Sequence, residues 1–367
     1  MTDLLRTLMR DEAAHLDVPP PPATEILAGG RRRVRRRRVG IGATALAVTA
    51  VAGLAVGAAV TGDGSDRPAD VAADPGPTYG VALADGSRVA VGQGLATVPG
   101  TVHDLVFTSE GALVRSNQNG GASDGSGPEA LTLVRPDGST VDLGTIPEGV
   151  GPATDPSESV YALAEQDGDG FVAVLRDVST GEEVDRVPLP DRPPSYWDVP
   201  PLALDDDHVY VGYRKETWAV DRETGEARQV VGGSGGLPDV AGGRMATTRD
   251  GSVAVTEPVT GEELMVQPID GFGFSELSPD GTHLAVTTEN EETFGESTTL
   301  YAVDTGESLD LPALGAGWGW SWTPQGDALA VGKKGITVCD VVDGCSEQPL
   351  PAGFAGDVKP GGQRFES

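Results

Sequence analysis

Residues 278–286 read SPDGTHLAV and residues 323–331 read TPQGDALAV. In each, a Gly-bearing turn opens a stretch that alternates apolar and polar positions. His283, Ala285 and Thr287 oppose Leu284 and Val286, which is the period of a half-buried β-strand. Four more segments carry the same signal: TSEGALV around Gly111, PSESVYAL around Glu158, DDDHVYV around Asp207 and AGGRMATT around Gly243. A second kind of turn, an acid followed closely by Gly, lies 18 to 27 residues beyond each of these. It occurs as RPDGSTV, DVSTGEEV, DRETGEA, EPVTGEEL, DTGESL and DVVDGCS, with glycines at 138, 181, 225, 261, 306 and 344. Such turns place Gly where φ must be positive and let the acid bond its own backbone.

The spacing of the second turns averages about 41 residues. Each unit therefore reads strand A, turn, strand B, loop, strand C, acid–Gly turn, strand D. Four strands in that length, repeated, predict an all-β chain built as a β-propeller. SPDGTHLAV and TPQGDALAV, the latter preceded by Trp322, resemble the repeat of TolB-type and WD-repeat-like propellers. The resemblance spans residues 101–352 and implies a binding platform more often than an enzyme.

The ends predict one more blade. Residues 356–367, GDVKPGGQRFES, copy a strand A–turn–strand B half, and residues 79–91, YGVALADGSRVAV, copy a strand C–turn–strand D half with Gly86 in its turn. Pairing them gives a seven-bladed ring with two strands from each terminus and no open edge. Six blades with loose ends is the alternative. Cys339 and Cys345 flank the turn Asp343–Gly344 from opposed strands of one hairpin, which predicts a disulfide.

Charge is divided along the chain. Residues 1–38 hold nine Arg and five acids, residues 39–60 hold no charge, and residues 61–367 hold 17 basic and 51 acidic side chains. A domain so acidic is a poor ligand for nucleic-acid phosphates. Val39 to Val60, VGIGATALAVTAVAGLAVGAAV, would span roughly 33 Å as a helix, enough for a bilayer core. The run Arg31, Arg32, Arg33, Arg35, Arg36, Arg37 and Arg38 precedes it and, by the positive-inside rule, anchors that end in the cytoplasm. The expected layout is a cytosolic segment (1–38), a single transmembrane helix (39–60), a linker (61–78) and an extracytoplasmic propeller (79–367) at the cell membrane. Thirty-eight residues is long for the n-region of a signal peptide, although Gly57 and Ala59 would satisfy a cleavage site. Disulfide formation fits an oxidising exterior.

Catalytic motifs such as Gly-x-Ser-x-Gly, His-Glu-x-x-His or a phosphate loop are absent from the sequence. The expectation is a protein that is not an enzyme and carries no resident cofactor or metal. Asp167 and Asp169, in DGDG, resemble the opening of a calcium loop but lack its remaining ligands; they leave open a loop Ca²⁺ site.

In a propeller the B–C and D–A loops share one face. Here that face would gather Tyr196, Trp197, Phe272, Phe274, Trp318 and Trp320 beside Asp167 and Asp169. Aromatics with carboxylates suit a cationic or sugar-like ligand or a protein hot spot. Alternating Trp318, Trp320 and Trp322 also fit simple packing between blades. The leading expectation is a tethered propeller that binds a protein or small ligand. Arg outnumbers Lys 22 to 4, and the layout resembles membrane-tethered anti-sigma-type regulators of actinobacteria. That resemblance implies the alternative: a signalling protein whose residues 1–30, with Leu4, Leu5, Leu8, Met9 and Leu16 near one helical stripe, hold a cytosolic partner.

Overall fold

The computed structural model describes residues 80–119, 127–192, 199–214, 216–230, 232, 237–249, 251–269, 273–290, 295–314, 319–332, 335–355 and 357–362. The Arg run, the expected membrane span and the linker lie outside these residues. Among the described residues there is no helix, and the strands form seven antiparallel sheets of four. Blade 1 contains β1 (Ala82–Asp85), β2 (Arg88–Val91) and β3 (Gly94–Thr97), completed by a strand from the far end of the chain. Blade 2 is β4 (Thr101–Thr108), β5 (Gly111–Asn117), β6 (Glu129–Val134) and β7 (Thr140–Ile146). Blade 3 is β8 (Ala153–Thr154), β9 (Val160–Asp167), β10 (Gly170–Asp177) and β11 (Glu183–Pro188). Blade 4 is β12 (Leu202–Leu204), β13 (His208–Tyr213), β14 (Glu216–Asp221) and β15 (Ala227–Gln229). Blade 5 is β16 (Val240–Ala241), β17 (Arg244–Arg249), β18 (Ser252–Thr256) and β19 (Glu263–Pro268). Blade 6 is β20 (Gly273–Leu277), β21 (His283–Asn290), β22 (Gly295–Ala302) and β23 (Ser308–Asp310). Blade 7 is β24 (Ser321–Trp322), β25 (Ala328–Val331), β26 (Gly335–Asp340) and β27 (Gly344–Pro349). The architecture is a seven-bladed β-propeller.

The turns fall where the sequence places them. The six acid–Gly turns join strands C and D, and their glycines all have φ between 70° and 82°. The acids close these turns locally: Asp177, Asp221 and Asp340 each accept two backbone N–H groups from the residues that follow. Strands A of neighbouring blades approach one another at the hub. Strands D form the rim, with five of six positions exposed in β11 and in β27.

The core is a ring of seams between adjacent sheets. Leu113, Leu131, Tyr161 and Leu163 join blades 2 and 3; Leu175, Leu202 and Val211 join blades 3 and 4. Tyr210, Ala219, Val240 and Met245 join blades 4 and 5, and Val255, Leu284 and Val286 join blades 5 and 6. Burial of this kind stabilises by about 25 cal/mol per Å² of apolar surface, so each blade is held mainly by its neighbours. Thr256 lies opposite Met245 in the blade 5 ladder, is 1% exposed, and its hydroxyl has no hydrogen-bond partner. A buried unmatched hydroxyl costs roughly 1 kcal/mol or more. Thr256→Val is therefore expected to raise the melting temperature by about 2 °C, readable by calorimetry; a lower value would mean that the hydroxyl is satisfied in solution.

Closure of the ring differs from the expected two-plus-two arrangement. The C-terminal segment gives one strand, β28 (Lys359–Pro360), and the N-terminal segment gives three. Leu83 pairs with Pro360 and Ala84 with Lys359. The turn at Gly86 thus joins strands B and C, and the C–D turn is Gly92–Gln93, with Gly92 at φ 57°. The reason lies in length: three four-residue strands fit between Ala82 and Thr97 because both hairpins are closed by two-residue turns. The C-terminal half of the expectation holds at its first strand only. Cys339 and Cys345 face each other in the register of β26 and β27 and are joined, with Cα atoms 4.0 Å apart.

Candidate functional site

Strand order fixes which loops share a face. The D–A connections and B–C loops lie at one end of the hub strands; the A–B and C–D turns lie at the other. At the D–A end of blade 2 the chain gathers four polar side chains that the alternation of its strands would lead one to expect as apolar. His103 occupies a bulge in β4, where the register shifts between Val102 and Asp104. Bulges re-aim side chains in this way. The His103 Nδ1 lies 2.8 Å from Glu129 Oε1, the Arg115 Nε donates to Glu129 Oε2 at 2.8 Å, and Asn117 Nδ2 donates to Oε1 at 3.4 Å. Arg115 also lies 3.6 Å from Asp104. Glu129, at the start of β6, is fully buried, and Arg115 nearly so.

Burial alone would raise the Glu129 carboxyl. The bonds from His103 and Arg115, with the Arg115 charge, outweigh it and hold the group below the usual carboxylate range. The network reaches blade 1 as well: Lys359 Nζ donates to the His103 carbonyl at 3.4 Å. Burial lowers the Lys359 ammonium, against the opposing pull of Asp357 and Asp104. A buried charge set of this kind fixes strands A, B and C of blade 2 to one another at the D–A end of the blade.

Other parts of the same face are built from stacked cations. Arg88 lies over the Phe354 ring at 5.2 Å and also bonds Asp85 and the Gly353 carbonyl. Asp85 in turn accepts the Ala355 N–H at 2.9 Å. Arg192 lies over Trp218 at 5.2 Å, with Glu216 3.9 Å from its Nε. Among the described residues two large apolar side chains are open to solvent here: Phe274, second residue of β20, is 50% exposed, and Leu314, in the connection from blade 6 to blade 7, is 37% exposed.

Of the residues singled out from sequence, Phe274 thus stands on this face and exposed. Trp320 is half-buried and packs against the hub cluster that contains Trp322, Ala328 and Cys339. Asp167 and Asp169 flank Gly168 in the turn between β9 and β10 and are both exposed. Among the described residues no group of three His, Cys, Asp or Glu side chains is placed to hold a metal. Tyr196, Trp197, Phe272 and Trp318 lie outside the described residues, as do Arg31 to Arg38. Sequence reading passed over His103, Arg115, Asn117 and Glu129. Their signal was present: a His, an Arg, an Asn and a Glu interrupt otherwise apolar strand stretches such as VHDLVF, ALVRSN and EALTLV.

No family profile matches the chain, and no curated protein sequence matches it. Among solved structures, TolB from Acinetobacter baumannii aligns over 79% of this chain and 67% of its own at 11% identity and a TM-score of 0.41. A Bacteroides uniformis protein assigned as a 6-phosphogluconolactonase aligns over 77% and 99% at 14% identity and 0.46. PorZ, a surface component of the type-IX secretion system of Porphyromonas gingivalis, aligns over 76% of this chain and 38% of its own at 12% identity and 0.48. At these identities the likeness is one of fold alone.

Proposed function

We propose that the chain is a membrane-tethered, extracytoplasmic propeller that binds a protein or small ligand through its D–A face. The observation that carries this reading is the exposure of Phe274 and Leu314 on that face, which at other blades carries the stacked pairs Arg88–Phe354 and Arg192–Trp218. Apolar anchors ringed by polar groups are the composition of binding hot spots. The opposite face carries ion pairs within and between blades, such as Arg135–Glu110, Arg222–Glu158 and Arg244–Asp304, together with one exposed apolar side chain among the described residues, Val342 in the blade 7 C–D turn. The described chain also enters at that opposite face: the Gly92 N–H in the C–D turn donates to the Val81 carbonyl at 2.8 Å. Tethering itself rests on the uncharged stretch 39–60 behind seven Arg. Binding, rather than turnover, is favoured because His103 and Glu129 are engaged with each other and with Arg115.

Crosslinked co-purification from native membranes tests this, using the full chain, Phe274→Ala/Leu314→Ala, and a chain lacking residues 2–28. Loss of the partner in the face variant, at a melting temperature within a few degrees of the parent, is the expected result. Retention of every partner by the face variant would refute it. A cytosolic partner that vanishes with residues 2–28 would instead support the anti-sigma-like signalling reading.

A further inference from the structure

Strand β19 is the outermost strand of blade 5, and among the described residues no other strand pairs with its outer side. Such an edge carries backbone N–H and C=O groups that can template a further strand, and natural sheets blunt it with charge or a cover. The other six rim strands are blunted. Asp142 stands exposed in β7, Asp185 and Arg186 in β11, Arg228 in β15, Asp310 in β23 and Glu347 in β27. In β3 the Gly94 backbone lies against Pro136 and Gly138 of blade 2. By contrast β19 reads ELMVQP, with its one charge at the first residue and Leu264, Val266 and Pro268 all exposed. The terminal Pro does not set it apart, since β11 and β27 end in Pro as well. On either side the rim is short: β15 and β23 have three residues each.

The direction of the free backbone groups follows from the ladder. The Ile269 N–H donates to the Gly251 carbonyl at 3.0 Å, one step beyond the Ser252–Pro268 pair. Counting back through the alternation of an antiparallel pair, Gln267 and Met265 turn their backbone groups towards β18, and Val266 turns both of its own outward. The one irregularity in this ladder lies at Val255–Thr256, so residues 265–268 pair regularly. Side chains sort in the same way. Met265 belongs to the cluster that joins blades 5 and 6, with Leu284 and Val303, while Leu264 and Val266 on either side of it are exposed.

We infer that the outer edge of β19 is a docking surface for a second copy of this chain, paired antiparallel about Val266. In that register the two Val266 residues exchange both backbone bonds, and Leu264 meets Pro268 of the second copy. Pro268 has no N–H to be left unmatched there. Exposed apolar side chains then lie together across the joined edges, which is the kind of cross-strand pair that stabilises a sheet.

Charge favours this site for self-association. Residues 61–367 carry 51 acidic and 17 basic side chains, so two copies meeting at random set acid against acid. Here the paired run 264–268 is uncharged. Glu263 of one copy lies six positions from Glu263 of the other, roughly 20 Å, beyond the Debye length of about 8 Å at physiological salt. Each Glu263 is also paired with Arg249 of its own chain at 2.6 Å. One strand edge is small beside a stable interface, which buries about 1,200 Å² or more, so the dimer is weak and reversible.

Oxidative crosslinking of the purified full-length chain in mild detergent, over a range of chain concentrations, tests this. Cys339 and Cys345 are joined to each other, so a cysteine introduced elsewhere reports alone. Val266→Cys should give a disulfide-linked dimer whose yield rises with concentration. Leu264→Cys and Val184→Cys, at equally open rim positions, should each give little. Mixing Leu264→Cys chains with Pro268→Cys chains should restore the dimer. Adding Leu264→Lys to Val266→Cys, at an unchanged melting temperature, should cut the dimer by about tenfold. No dimer from Val266→Cys, equal yields from 184, 264 and 266, or a yield indifferent to Leu264→Lys would each overturn the inference.

Discussion

A chain ending at Gly356 is expected to lose its cooperative thermal transition, or to show it lowered by more than about 10 °C. The truncation removes β28, the one strand that closes the ring. With it go the pairing of Leu83 and Ala84, the Gly361 N–H to Ala82 carbonyl bond and the Gly362 N–H to Leu105 carbonyl bond, both 2.9 Å. The Ser321 hydroxyl loses the Gly361 carbonyl. Val358, 2% exposed, leaves the cluster that joins Leu83 and Ala90 to Leu329 and Ile336. A buried Val contributes about 1.5–3 kcal/mol and each hydrogen bond about 1 kcal/mol. The sum is about 5 kcal/mol, before counting the hub edge of β1 that is then left open to other chains. Differential scanning calorimetry with sedimentation would show a weaker transition and self-association. A monomer melting within about 3 °C of the parent would mean that the ring does not depend on this strand.

The second large effect concerns the charges inside blade 2. Arg115→Met should cost about 3–5 kcal/mol at neutral pH, because it leaves the fully buried Glu129 carboxylate without its guanidinium. Adding Glu129→Gln to that variant should recover a large part of the loss, since the uncompensated charge is then gone; the non-additivity measures the coupling. Acid works in the same direction. The folded carboxyl of Glu129 is held below its ordinary 4.5, so its contribution is present above that value and is lost as pH falls through the folded one. The gap between parent and Glu129→Gln should accordingly narrow below pH 4. Denaturant melts of the four chains at pH 7 and pH 3.5 provide the measurement. Additive losses, or a gap independent of pH, would show that the network is not ionic.

Much of this fold was legible because its turns are written in residues of special conformational use. Gly138, Gly181, Gly225, Gly261, Gly306 and Gly344 each follow an acid at short range, and every one closes a C–D hairpin. The A–B turns were legible for the same reason. That both termini share a seventh, closing blade was legible too, but their split of it was not, because β28 has only two residues and carries no periodicity of its own. The VGQG stretch at 91–94 gave the missing turn, but four-residue strands on either side make a weak pattern.

The site was less legible than the fold. His103, Arg115, Asn117 and Glu129 are separated by 12, 2 and 12 positions and meet only through the pairing of β4, β5 and β6. The cluster at blades 3 and 4 is similar: PSES and DDDH read as polar turns, and Arg222 meets Glu158 only across the seam between the two blades. Their burial against each other comes from the stacking of blades, which local sequence does not encode.

The binding reading is tested most directly by a photo-crosslinking residue placed at position 274 on the D–A face, and at position 184 on the rim, in intact protoplasts. Val184 is 55% exposed on β11, so both positions are open to a partner. A discrete adduct is expected from position 274 only, and it should be removed by protease added outside the cell. No adduct at 274, equal adducts at both positions, or an adduct protected from external protease would contradict it.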